Sequence, residues 1–136
     1  MASLADPELK AAYERVQGYL KKLQEIQSKK TKLVESRHAL GSQKNENDLV
    51  RQELSAMEEG AKVYKLVGPA LVQQDAADAK SIVEKRLDYI SSEIQKTDRQ
   101  IGECEAEEHK IRGEILALQQ GLNARVEAKA AAAGAA

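Results

Sequence analysis

His38, His109 and Cys104 are the side chains best suited to ligate a transition metal or to form a nucleophile–base pair. Such chemistry needs its groups clustered, and these three are scattered through a chain of 136 residues. The helix register argued below sets His38 near position 96, not beside His109. Cys104 falls on a line of apolar residues, where a free thiol acts as a small hydrophobe. There is no glycine-rich phosphate loop, no Cys–His metal spacing and no nucleophile elbow. The basic run "QSKKTK" (Gln27–Lys32) is surrounded by acidic residues, and the formal net charge is −1. It reads as a solvated helix face, not a nucleic-acid site. The expectation is a protein that is not an enzyme, with no cofactor, no metal, no nucleic-acid partner and no membrane partner.

The frame around these residues is helical. Charged residues make up 32% of the chain, and it has no Trp, no Phe and four scattered Tyr. A globule of this length normally fills its core with aromatic side chains, whereas this balance suits long paired helices. The single cysteine fits a reducing compartment. No apolar run approaches the roughly 20 residues that cross a bilayer, and "MASLADPELK" lacks the features of a signal peptide. These features predict a cytoplasmic protein.

"ADPEL" reads as a helix start, with Asp6 as cap, Pro7 at the first position and Glu8 near the positive dipole end. The first helix is expected over about 7–59, with Gly60 as its stop. Its seam runs in steps of seven through Ile26, Leu33, Leu40, Asn47 and Leu54. A companion line is apolar at Leu9, Val16 and Leu23, then turns basic at Lys30, Arg37, Lys44 and Arg51. Asn47 is either a register-fixing polar residue or a tolerated one near an exposed edge.

A second helix, expected over about 76–127 with Asp75 as cap, carries a cleaner seam. Val83, Leu87, Ile90, Ile94, Thr97, Ile101, Cys104, Glu108, Ile111, Ile115, Leu118 and Leu122 alternate steps of four and three, the mark of a coiled-coil face. Residues 128–136 are low-complexity and are expected to fray. Folding the two arms into an antiparallel hairpin sets opposed positions to sum to about 134, which mostly places apolar against apolar. At ~1.5 Å per residue each arm extends roughly 75 Å, and both chain ends lie at the tip.

Between the arms, "GAKVYKLVGPALVQQD" breaks the helical pattern. Val63, Tyr64, Leu66, Val67, Leu71 and Val72 are strand formers, and Gly68-Pro69 between them suits a turn. A β-hairpin is expected over about 61–74, with apolar groups on both faces. An isolated hairpin is marginal in water and its open edges invite other strands. Strands from other chains complete it, or it packs only on the arm ends.

This arrangement resembles the prefoldin family. The likeness rests on helix–hairpin–helix order over nearly the whole chain, on "VYKLVGPALVQQD", and on "KRLDYI" (Lys85–Ile90) opening the second helix. The Gly-Pro-x-Leu-Val-x-Gln core, Gly68–Gln74, is its most specific part, and a single hairpin resembles the β class. Gln73 stands where many members have Lys. The resemblance implies one β-type domain over 1–136 and a heterohexamer of α- and β-class subunits joined through their hairpins. It further implies ATP-independent capture of unfolded proteins, actin and tubulin among them, at the coiled-coil tips, and delivery to the cytosolic chaperonin. Leu4, Leu20, Leu116 and Val126 lie off or beyond the seam near the free ends and are the candidates for client contact. Leu9, Val16, Leu118 and Leu122 either join them or seal their own seam. Two other readings stay open: a structural coiled-coil scaffold, and a prefoldin-like assembly without client capture.

Overall fold

The computed structural model describes residues 6–135, so Leu4 lies outside the described residues. The elements are α1 (Pro7–Ala56), β1 (Val63–Val67), β2 (Ala70–Gln74) and α2 (Ala76–Ala135). The fold is thus mainly helical: two long helices with an antiparallel β-hairpin between them. Contacts divide it into two compact units, residues 33–100 and the residues up to 32 with those from 101 onward.

Both helix starts are capped by aspartate. The Glu8 amide donates to Asp6 Oδ1 at 2.9 Å, and the Lys10 amide donates to the Asp6 carbonyl at 3.0 Å. At α2, the Ala77 and Asp78 amides donate to Asp75 Oδ1 at 2.8 and 3.2 Å. Each carboxylate thereby satisfies amide donors that the first helical turn leaves without a partner.

In the unit of residues 33–100, Leu54 of α1 packs with Ala79, Val83 and Leu87 of α2, and Met57 and Val63 close over them. This contact explains why α1 ends at Ala56 and not near residue 59. Met57 leaves the helix to cover the cluster, and Glu58–Ala61 forms a turn in which the Ala61 amide donates to the Glu58 carbonyl at 3.1 Å. Gly60 is the third residue of that turn, with φ +86°, the position where a type II turn requires positive φ. It therefore redirects the chain toward β1 and is not the helix stop itself.

In the other unit, α1 and α2 bury Leu9, Val16 and Ile26 together with Cys104, Ile111 and Ile115. The α2 helix continues through the segment expected to fray, as far as Ala135. Alanine is the strongest helix former, and Lys129 within this segment is tied to Asp6 by an ion pair. Composition alone suggested fraying; propensity and one long-range contact favour helix.

Candidate assembly interface

The hairpin ladder pairs Val63 with Gln74, Tyr64 with Gln73, Lys65 with Val72, Leu66 with Leu71 and Val67 with Ala70. Gly68 and Pro69 form its two-residue turn. Gly68 has φ +58° and the bond to Pro69 is trans. The proline ring holds φ near −65°, which rules out the type I′ turn and leaves type II′, with glycine at its first central position.

Opposed residues in a ladder share a face. One face carries Tyr64, Leu66, Leu71 and Gln73, all exposed; the other carries Val67 and Val72, exposed, and Val63, half-buried against the Leu54 cluster. Among the described residues, each strand pairs along one edge only. The hairpin therefore presents apolar side chains on both faces and unused backbone donors and acceptors on both outer edges. At about 1.5–3 kcal/mol for each large apolar side chain fully covered, such a surface gains most by meeting other strands.

The remaining seam residues lie as follows. Ile26, Leu54, Val83, Leu87, Ile90, Ile111 and Ile115 are buried, and Leu33, Leu40, Ile94, Ile101, Leu118 and Leu122 are half-buried. Leu20, Leu116 and Val126 are exposed, whereas Leu9 and Val16 are buried. Where the α1 companion line turns basic, α2 answers with acid. Arg37 Nε donates to Asp98 Oδ1 at 2.8 Å, and Lys30 Nζ lies 3.7 Å from Glu105 Oε1 and 3.8 Å from Glu108 Oε1. Asn47 Nδ2 donates to the Gln43 carbonyl of its own helix at 2.8 Å, so it spends that donor within α1.

Two polar groups within the helix pair stand out. Asp6 is buried, and beyond capping α1 its Oδ2 accepts from Arg125 Nε at 2.9 Å and pairs with Lys129 Nζ. Hydrogen bonds from Lys129 and then Arg125 hold its carboxyl well below the usual carboxylate range, and Asp6 in turn raises Arg125. Glu108 is also buried, yet its Oε1 has no hydrogen-bond partner among the described residues. Sequence reasoning found Asp6 only as a cap; nothing local marks Arg125 and Lys129 as its partners.

Groups that could do chemistry remain apart. Cys104 is buried and unpaired by any disulfide, and both histidines are exposed. Among the described residues no cluster of His, Cys, Asp and Glu is arranged to hold a metal ion, and no helix is long and apolar enough to cross a membrane. What the described residues do expose is the apolar surface of the hairpin.

Comparison with known proteins agrees with that architecture. Residues 17–128 match the family described as prefoldin subunit. The chain belongs to the prefoldin subunit family. Among its prefoldin relatives, prefoldin subunit 6 of Canis lupus familiaris and of Homo sapiens are each 36% identical over 121 residues, covering 89% of this chain and 94% of theirs. Prefoldin subunit 6 of Arabidopsis thaliana is 44% identical over 90 residues, covering 66% of this chain and 70% of its own. The crystal structure of the prefoldin beta subunit from Thermococcus strain KS-1 superposes with a TM-score of 0.72 at 18% identity, over 76% of this chain and 90% of that one. At that identity the likeness speaks to fold, and the fold is that of a prefoldin β subunit.

Proposed function

We propose that this chain is a β-class subunit, one domain over residues 1–136, of a heterohexameric prefoldin co-chaperone in the cytoplasm. Its hairpin joins α- and β-class neighbours. The arm ends hold unfolded proteins such as actin and tubulin without ATP and pass them to the cytosolic chaperonin. The observation that carries the reading is the hairpin itself, apolar on both faces and unpaired on both outer edges. Family membership supports the choice of partners. For the client-binding end, support comes from Leu20, Leu116 and Val126, which stay exposed beside a seam that buries Leu9 and Val16. Leu4 completes this set from the sequence alone. Each such contact is weak, and several arms acting on one client gain through effective concentration. Capture of this kind needs no catalytic residue, cofactor or metal.

Native mass spectrometry of the chain co-expressed with α- and β-class partners tests the assembly. A discrete hexamer is expected; a lone monomer that partners leave unchanged refutes it. A variant combining Leu20→Ser, Leu116→Ser and Val126→Ser should still assemble but suppress aggregation of an unfolded client less well. Equal protection by that variant removes these residues from client binding.

A further inference from the structure

Within residues 33–100, the buried face of α2 takes Val83, Leu87 and Ile90 and leaves Ile82 and Tyr89 exposed beside it. These two border adjoining hollows. One, of about 180 Å³, lies against the hairpin, with Val50, Tyr64, Lys65, Ile82 and Arg86 in its wall. The other, of about 470 Å³, runs past Lys85, Tyr89 and Ile90, with Gln43 and Asn47 on the α1 side. Ile82 and Arg86 line both, so the hollows adjoin on α2, and together they make a grooved surface that begins beside β1.

The charge of this groove is one-sided. Among the described residues, Lys65, Lys85 and Arg86 line it, and no Asp or Glu does. On the helices, Lys30, Arg37 and Arg125 each face a carboxylate. Among the described residues, Lys65, Lys85 and Arg86 form no ion pair of their own. Apolar contact is available at Val50 and Ile82, and Tyr64, Tyr89 and Arg86 are the residue types that dominate binding energy at protein interfaces. Unfolded clients share no common charge, so a wall whose charged residues are all cations favours a fixed partner.

We propose that this groove docks an acidic segment of a neighbouring subunit, whose apolar anchors sit on Val50 and Ile82 and whose carboxylates meet Lys65, Lys85 and Arg86. The inference rests on the hexamer reading, because the groove begins at the assembly strand that carries Tyr64 and Lys65. It adds a second, electrostatic contact to strand pairing, one that fixes which neighbour fits.

Photo-crosslinking in the hexamer reconstituted from purified α- and β-class partners tests it, with Tyr89→p-benzoylphenylalanine as the groove probe and Leu66→p-benzoylphenylalanine as the hairpin probe. Both probes should capture partner subunits, and the Tyr89 product should be a peptide rich in Asp and Glu. Adding Lys85→Glu and Arg86→Glu should lower the Tyr89 product about tenfold and leave the Leu66 product unchanged. Lys85→Arg with Arg86→Lys should retain it. If the Leu66 probe captures a partner while the Tyr89 probe captures nothing, a neutral or basic segment, or an added client, the groove inference is overturned and the assembly reading stands. If neither probe captures a partner and no hexamer forms, the assembly reading falls and takes the groove with it.

Discussion

Leu66 lies directly opposite Leu71 in the hairpin ladder, and the two side chains are 70% and 68% exposed. A cross-strand pair of this kind contributes only about 0.2–1 kcal/mol within a sheet, too little to hold a two-stranded hairpin in water. Its larger value is the surface it offers to a neighbour. Replacing both by lysine should leave the helical circular dichroism unchanged while removing about 3–6 kcal/mol of burial from the assembled state. Light scattering should then show loss of the hexamer; an intact hexamer would place the joint elsewhere.

Asp6 joins the start of α1 to Arg125 and Lys129 near the end of α2. Because its folded carboxyl titrates below the ordinary range, its contribution is fully present above the unfolded value, about pH 4. It is lost as pH falls through the lower folded value. Protection of the first α1 amides against hydrogen exchange, corrected for the intrinsic rate, should therefore hold through mild acid and collapse only in strong acid. Asp6→Asn keeps an oxygen for the Glu8 amide and loses the charge, so it should open this end partly; Asp6→Ala should open it further. Indistinguishable exchange in the two variants would show that capping adds nothing here.

Leu87 is buried with Leu54, Ala79 and Val83 where the helices meet the hairpin. Leu87→Ala removes packed methyl groups and should cost about 2–3 kcal/mol, the lower part of the usual range, because two paired helices can partly close the gap. Thermal melts followed by circular dichroism should show a clear drop in midpoint. Leu116→Ala, at an exposed position, should leave the midpoint nearly unchanged and serves as the control.

Glu108 is buried on α2, and among the described residues one of its carboxylate oxygens has no hydrogen-bond partner. Its nearest cations are loose, with Lys30 Nζ at 3.8 Å and Arg112 Nη2 at 3.9 Å, and Lys30 has Glu105 as an alternative at 3.7 Å. Desolvation at such a site commonly outweighs the attraction. Glu108→Leu should raise stability by about 1–2 kcal/mol, read as a higher melting midpoint. A lower midpoint would mean that Lys30 depends on this carboxylate.

Helix–hairpin–helix order was legible because its signals are local. Asp6-Pro7 and Asp75 cap whatever helix follows them, steps of three and four in Val83, Leu87 and Ile90 repeat every turn, and Gly68-Pro69 between strand formers specifies a tight turn within four residues. The openness of the hairpin was legible for a related reason: no other stretch of the chain is strand-like enough to pair with it. The end of α1 was not legible, because Gly60 suits a helix stop and a type II turn equally well. Only the packing of Met57 onto the cluster around Leu54 separates the two.

The groove was less visible. "KRLDYI" stood out as a segment, but Lys85, Arg86 and Tyr89 acquire a shared role only when α1 brings Gln43, Asn47 and Val50 alongside Ile82. The pairing of Asp6 with Arg125 and Lys129, and the stranding of Glu108, were likewise absent from any local pattern. Propensity, capping and periodicity act over a few residues, so the residues alone specify which elements form and which stripe of each is apolar. Ion pairs, grooves and unsatisfied buried atoms depend on how far one helix slides and turns against another. A shift of one residue leaves every local signal intact and changes all of those contacts.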